Sequence, residues 1–235
     1  MPIALVTGTS RGLGKALAQE LGRLGWQLIV DARSGTVLQE ASKGFGDSPR
    51  VTALAGDVSD PAHRDEMVKA VHRVGRLDLL VNNASTLGPT PRPDLSDYPL
   101  DELQRVIHIN AIAPLGLIQA LLPELTESQG AIINVSSDAA LEPYAGWGGY
   151  GSSKAALDQL SAVLAEEQPA IRIYSFDPGD MRTKMQQQAF PDEDISDRAE
   201  PEAVVPSLLR LVDERPPSGR YRESDLRPLS VDSRP

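Results

Sequence analysis

Apolar positions along the chain come in short bursts of β-branched residues and leucine, separated by longer stretches in which they recur every three or four places. The bursts are "IALVT" from Ile3, "QLIVD" from Gln27, "VTALAG" from Val51, "LDLLVN" from Leu77, "AIINVS" from Ala131 and "IRIYSF" from Ile171. Runs that are apolar on both faces predict buried strands of a parallel sheet. Between them, "GKALAQELGRLG", "PAHRDEMVKAVHRVG", "DELQRVIHINAIAPLGLIQALLPEL" and the run from Tyr150 through "AALDQLSAVLAEE" carry helical spacing. Strands alternating with helices predict an α/β fold: a Rossmann-type doubly wound parallel sheet with helices on both faces. Ligands are then expected where the carboxyl ends of the strands open into a crevice.

Two stretches interrupt the alternation. Residues 85–100, "STLGPTPRPDLSDYPL", are proline-rich and predict a surface loop, while residues 184–200, "KMQQQAFPDEDISDRAE", are polar, acidic and without a period. Loops this long in a small domain are usually functional, and the second follows a strand end, so it is expected to act as a lid over a substrate. The final strand region, "SGRYRESDL", looks short, and a poorly ordered tail is expected from about residue 223. With 235 residues the chain fits one domain, 1–235, that both binds a dinucleotide and carries the chemistry.

Composition narrows the function classes. There is no cysteine, which excludes disulfides, thiolate metal sites and cysteine nucleophiles. His63, His72 and His108 lie singly, without the spacing of metal ligands, so they are expected to pack or face solvent and no metal site is expected. A formal net charge of −10 opposes binding to nucleic acid. The first apolar run, "IALV", is too short to cross a bilayer and no later run is expected to do so. A soluble, cytoplasmic protein without a membrane partner follows as the expectation.

After the first strand, "TGTSRGLGKALAQEL" places Gly8, Gly12 and Gly14 at the turn into a helix. Glycine there lets backbone approach a phosphate closely, and a helix amino terminus offers free N–H groups and the positive end of a dipole. At the end of the second strand, "LIVDARSG" offers both Asp31 and Arg33. A carboxylate suits a free ribose hydroxyl and a guanidinium suits a 2′-phosphate. Arg11 sits in the glycine turn and can join Arg33, so NADP(H) is predicted, with NAD(H) kept open by Asp31.

Tyr150 and Lys154 are four apart on a helix and share a face. A free phenol has a pKa near 10, and a neighbouring ammonium is expected to lower it for proton transfer to or from a substrate oxygen. Ser137 ends the fifth strand, 13 residues before Tyr150, where its hydroxyl can meet a carbonyl. Pro114 lies four residues after Asn110 and removes the helical partner of the Asn110 carbonyl, so a kink is predicted there, with a place for an ordered water linked to Lys154.

In this order and at these spacings, the glycine turn, "NNA" at 82–84, Asn110, Ser137, Tyr150, Lys154 and "PGDMRT" at 178–183 resemble the short-chain dehydrogenase/reductase family, from residue 3 to about 222. "TSRGLGKALA", "DARS" and "PGDMRTKMQQQA" are similar to stretches of its sepiapterin-reductase-like branch. The resemblance implies that Tyr150 is the catalytic acid or base, that Ser137 orients the substrate oxygen, that Lys154 also holds the nicotinamide ribose and that Asn110 anchors a water relay. It implies that Gly8, Ser10, Arg11, Gly12, Leu13 and Gly14 bind the cofactor. Asp57 and Val58 would contact adenine, and Asn83 and Ala84 the adenosine half. Pro178, Gly179, Met181 and Thr183 would meet the nicotinamide half.

The family's usual NAD pattern has an acid at the position of Ala32, and none is present there. The expected function is hydride transfer between NADP(H) and a small ketone, aldehyde or secondary alcohol, in a homodimer or homotetramer paired through the fourth and fifth helices. Leu141, Tyr144 and Trp147 are the expected pocket residues. The alternative is a cofactor-binding regulator or scaffold without turnover, which has no use for an intact Asn, Ser, Tyr and Lys set.

Overall fold

A computed structural model describes residues 1–46 and 50–227. The apolar bursts become β1 (Ile3–Val6), β2 (Gln27–Ala32), β3 (Val51–Ala55), β4 (Leu79–Asn82), β5 (Ala131–Val135) and β6 (Arg172–Asp177). A seventh strand, β7 (Gly219–Arg222), pairs parallel with β6. All seven strands run parallel in the order β3-β2-β1-β4-β5-β6-β7. The winding reverses between β1 and β4, which opens a crevice beyond their carboxyl ends.

Alternation along each strand feeds two apolar layers. Ala4, Val6, Val30, Val81, Ile133 and Phe176 point to one face, where α1 (Gly12–Arg23), α2 (Gly35–Ser42) and α8 (Pro201–Asp213) supply Leu17, Leu21, Leu38 and Leu208. Leu5, Ile29, Leu80 and Ile132 point to the other, against Met67 and Val71 of α3 (Pro61–Val74) and Leu117, Ile118 and Leu121 of α5 (Ala113–Glu127). Full burial of one such side chain favours folding by about 1.5–3 kcal/mol. Helix α3 shows how local sequence fixes an element: Asp60 caps the Ala62 amide, Pro61 occupies the first turn and Gly75 ends the helix at φ 76°.

Several expectations are corrected. The helical run 101–125 is broken into α4 (Leu100–Ile107), a π turn (His108–Ile112) and α5, because Pro114 has no amide to offer the Asn110 carbonyl and the ladder shifts register. Together they form a stretch, Leu100–Glu127, that is long and apolar enough to cross a membrane by length and composition, with half of its most apolar window buried in the protein. The segment 184–200 contains a short helix, α7 (Lys184–Ala189), capped by Thr183 through the Gln186 amide. Of the expected tail, Glu223–Leu226 forms a 3-10 turn, with Glu223 accepting from Ser207 and Leu226 buried. The remaining tail residues, 228–235, lie outside the described residues.

Candidate active site

The carboxyl ends of the strands surround a cleft of about 620 Å³, within the range of small-molecule sites. At one end lies the glycine turn between β1 and α1. Gly8 has φ 72°, and a Cβ there would come within 2.9 Å of the Ala84 Cα, so only glycine lets the two loops meet. Asn83 ties them together, donating from Nδ2 to the Thr7 and Gly8 carbonyls at 2.8 and 3.1 Å, while Thr7 Oγ1 accepts from the Asn83 and Ala84 amides. Arg11, at the N-cap of α1, makes no side-chain cap bond. The first amides of α1 are therefore left without a side-chain partner from their own cap.

Gly8, Ser10, Arg11, Gly12, Leu13, Arg33, Asp57, Val58, Asn83 and Ala84 line the cleft, as do Pro178, Gly179, Met181 and Thr183. Gly14 does not. Its missing Cβ would strike Asn83 Nδ2 at 2.4 Å and the Gly8 carbonyl at 2.5 Å, so it lets helix and strand pack closely instead of facing a ligand. The orientation of Asp31, open in the sequence, is inward: the side chain is buried, and Oδ1 accepts from the Gly8 amide at 2.7 Å. Arg11 and Arg33 are exposed.

At the other end stand Ser137 and, on α6 (Gly148–Glu167), Tyr150 and Lys154, all three on the cleft wall. The ring of Tyr150 packs edge-on against Trp147 at 5.8 Å. Burial pushes the phenol well above its ordinary value; the Ser137 hydroxyl pulls it back, and Asp177 and Asp138 add to the rise. Lys154 Nζ donates to the Val135 carbonyl at 2.7 Å and lies 5.6 Å from the Tyr150 ring centre. Its own burial brings the ammonium down to about 8, against an opposing pull from Asp158. Lys154, expected to acidify the phenol, is not among the groups that lower it in this geometry: burial dominates both groups, raising the phenol and lowering the ammonium.

Asn110 is fully buried and does not line the cleft. Its Oδ1 accepts from Ser85 Oγ and the Thr86 amide, and its Nδ2 donates to the Thr86 carbonyl and Ser153 Oγ, at 2.9–3.1 Å. Ser153 donates in turn to the Tyr150 carbonyl at 2.6 Å. The side chain therefore binds the segment after β4 to the helix that carries the tyrosine. Ser137 Oγ donates to Asp138 Oδ1 at 3.0 Å and accepts from the Ala139 amide.

Leu141 and Tyr144 are exposed and lie outside the cleft lining, contrary to expectation, whereas Trp147 belongs to it. Tyr144 instead donates to Asp138 Oδ2. Arg92, which sequence reasoning missed, lies over Trp147 at 4.1 Å and Phe190 at 5.5 Å and donates to the Ala189 carbonyl. It straps the proline-rich segment to α7. The only signal in the sequence was a lone cation between two prolines. Among the described residues no cluster of acids and histidines has the form of a metal site.

A doubly wound parallel sheet with a glycine cradle at one end of its crevice and a serine, tyrosine and lysine at the other defines a dinucleotide-dependent oxidoreductase class. The chain belongs to the short-chain dehydrogenase family, whose sequence profile matches residues 2–194. It is 36% identical to sepiapterin reductase of Mus musculus over 201 residues, covering 80% of this chain and 77% of that one. It is also 31% identical to a yeast benzil reductase, (S)-benzoin forming, from Saccharomyces cerevisiae, with 88% and 80% covered. A short-chain dehydrogenase structure from Shigella flexneri, complexed with NADP, superposes with a TM-score of 0.85 at 30% identity, covering 95% of this chain and 97% of the other. The family works with a nicotinamide cofactor, and the open backbone at Gly8 and the two exposed guanidinium groups fit such a dinucleotide.

Proposed function

We propose that the protein is an NADP(H)-dependent oxidoreductase that interconverts a small carbonyl compound and its alcohol. The observation that carries this reading is the position of the Tyr150 phenol, buried beside Ser137 on the cleft wall. When bound, the nicotinamide supplies the hydride in reduction and takes it up in oxidation. Tyr150 gives its phenolic proton to the substrate oxygen in reduction, and in oxidation its deprotonated form takes the proton of the substrate hydroxyl. Ser137 orients that oxygen once its hydroxyl turns from Asp138. Lys154 holds the ribose, and Asn110, through Ser153, keeps Tyr150 in register and anchors the water relay. Arg11 and Arg33 receive the 2′-phosphate, supported by the inward turn of Asp31 and by the NADP seen in the Shigella flexneri relative.

The substrate end is apolar, with Leu87, Trp147, Met185 and Ala189 on its wall. This favours a ketone with an aromatic or aliphatic flank, in keeping with two relatives named as reductases of sepiapterin and benzil. The test is a panel of such ketones and aldehydes followed by NADPH absorbance, with Tyr150→Phe alongside. Turnover is expected with the wild type and a loss on the order of 10²–10⁴-fold in the variant, the usual worth of a positioned acid, with NADPH affinity retained. An undiminished rate in Tyr150→Phe refutes the assignment.

A further inference from the structure

β2 ends on a buried anion, and a phosphate ester is read into the cleft close by. Asp31 is 2% exposed and lines the cleft together with Arg33 and Arg11. An uncompensated carboxylate there repels a 2′-phosphate and offsets part of what the guanidinium groups contribute. The group that meets Asp31 comes from 32 residues away: His63, in the first turn of α3, has Nε2 at 3.2 Å from Asp31 Oδ2, with side chains 4% and 2% exposed. Room for the imidazole is made at Gly56, where a Cβ would fall 2.2 Å from His63 Nδ1. The other face of Asp31 is the glycine turn: Oδ1 accepts from the Gly8 amide at 2.7 Å, and its backbone carbonyl accepts from the Thr9 amide and hydroxyl. A continuous line of contacts thus runs from α3 through His63 and Asp31 to the phosphate cradle.

We propose that His63 is a positioning and selectivity residue for the cofactor: as an imidazolium it cancels the Asp31 charge, holds that carboxylate on the Gly8 amide, and so admits a 2′-phosphate while it stays protonated. The inference rests on the NADP(H) reading above. The groups around His63 favour the cation. They are Asp31 from β2, Asp57 after β3, Asp60 at the α3 cap and Glu66 one turn on, whose Oε2 is 3.8 Å from Nδ1, while Arg33 acts on Asp57. The hydrogen bond to Asp31 outweighs burial and raises the imidazole above its ordinary value. Preference for NADPH over NADH should therefore fall as pH rises through that elevated value, because loss of the imidazolium leaves Asp31 bare.

The test is the Kd of NADPH and of NADH, by fluorescence titration between about pH 7 and about pH 9.5, above the second ionisation of a phosphate monoester. His63→Gln keeps a donor for Asp31 and removes the charge. It is expected to weaken NADPH roughly five- to tenfold at the lower pH, leave NADH nearly unchanged and flatten the pH dependence of their ratio. Adding Asp31→Asn is expected to restore NADPH affinity.

A purely packing role predicts equal losses for both nucleotides and no rescue, and that result overturns the proposal. So does a ratio in His63→Gln that follows the wild type at every pH. If His63→Gln does not fold, Asp31→Asn alone decides: its ratio is expected to be flat, and a slope as steep as the wild type overturns the proposal. Wild-type protein that binds NADH more tightly than NADPH throughout instead refutes the cofactor reading itself.

Discussion

Lys154 is 2% exposed, and water has been traded for a single carbonyl, that of Val135. Its folded pKa of about 8 lies below the ordinary 10.5. Between those values the unfolded chain keeps a proton that the folded chain has released, so stability rises with pH across that window. Wild type is expected to gain on Lys154→Met by up to about 3 kcal/mol as pH climbs from 8 toward 10.5. Melting curves of the two proteins that run parallel with pH would refute this. The spacing of Tyr150 and Lys154 was enough to place both on one helix face. Where the ammonium points was not legible, because its partner lies 19 residues upstream on another element. Asp31 is the same case, its carboxylate being held by the Gly8 amide and by His63, 23 and 32 residues away.

At the scale of elements, the interruption of the long helix at Pro114 was legible in the sequence, and the form it takes was not. Proline announces a lost hydrogen bond; whether the chain kinks or widens into a π turn depends on what the freed residues meet. Here Asn110 meets Ser85, Thr86 and Ser153. The short α7 was hidden because only six residues of it exist, too few to show a period. Its position is set by side chains outside it: Met185 and Phe190 pack with Tyr150 and Trp147, and Arg92 lies over the aromatic pair. Cation–π contacts of this kind contribute about 0.5–2 kcal/mol each. Arg92→Ala is expected to raise KM several-fold with a smaller change in kcat, and to speed proteolysis within 184–200; unchanged KM and cleavage would show that the strap does not position α7.

For the molecule as a whole, the alternation of strands and helices made the sheet legible, because runs that are apolar on both faces have few other places to go. The last strand was legible only as a weak, polar stretch, and its importance lies in one residue. Arg220 on β7 donates to Asp158 on α6, to Asp177 at the end of β6 and to the Ser137 carbonyl, at 2.9–3.0 Å. Arg220→Leu leaves two shielded carboxylates without their cation, and removing one partner of such a pair typically costs roughly 3–5 kcal/mol. Thermal unfolding is expected to report a loss of that order, and a change under about 0.5 kcal/mol, the scale of an ordinary surface substitution, would refute it. We propose that copies of the chain pair through the surface of the broken helix 100–127, where Leu100 on α4 and Ile112 on the π turn are exposed; Ile112→Glu should then sediment as a smaller species than the wild type, and an unchanged sedimentation coefficient would refute it. The tie from Arg220 also has a meaning in time. Translation delivers the tyrosine, lysine and serine long before it delivers this arginine, so a nascent chain paused on the ribosome ahead of β7 holds every group named for the chemistry without the clasp that closes around them.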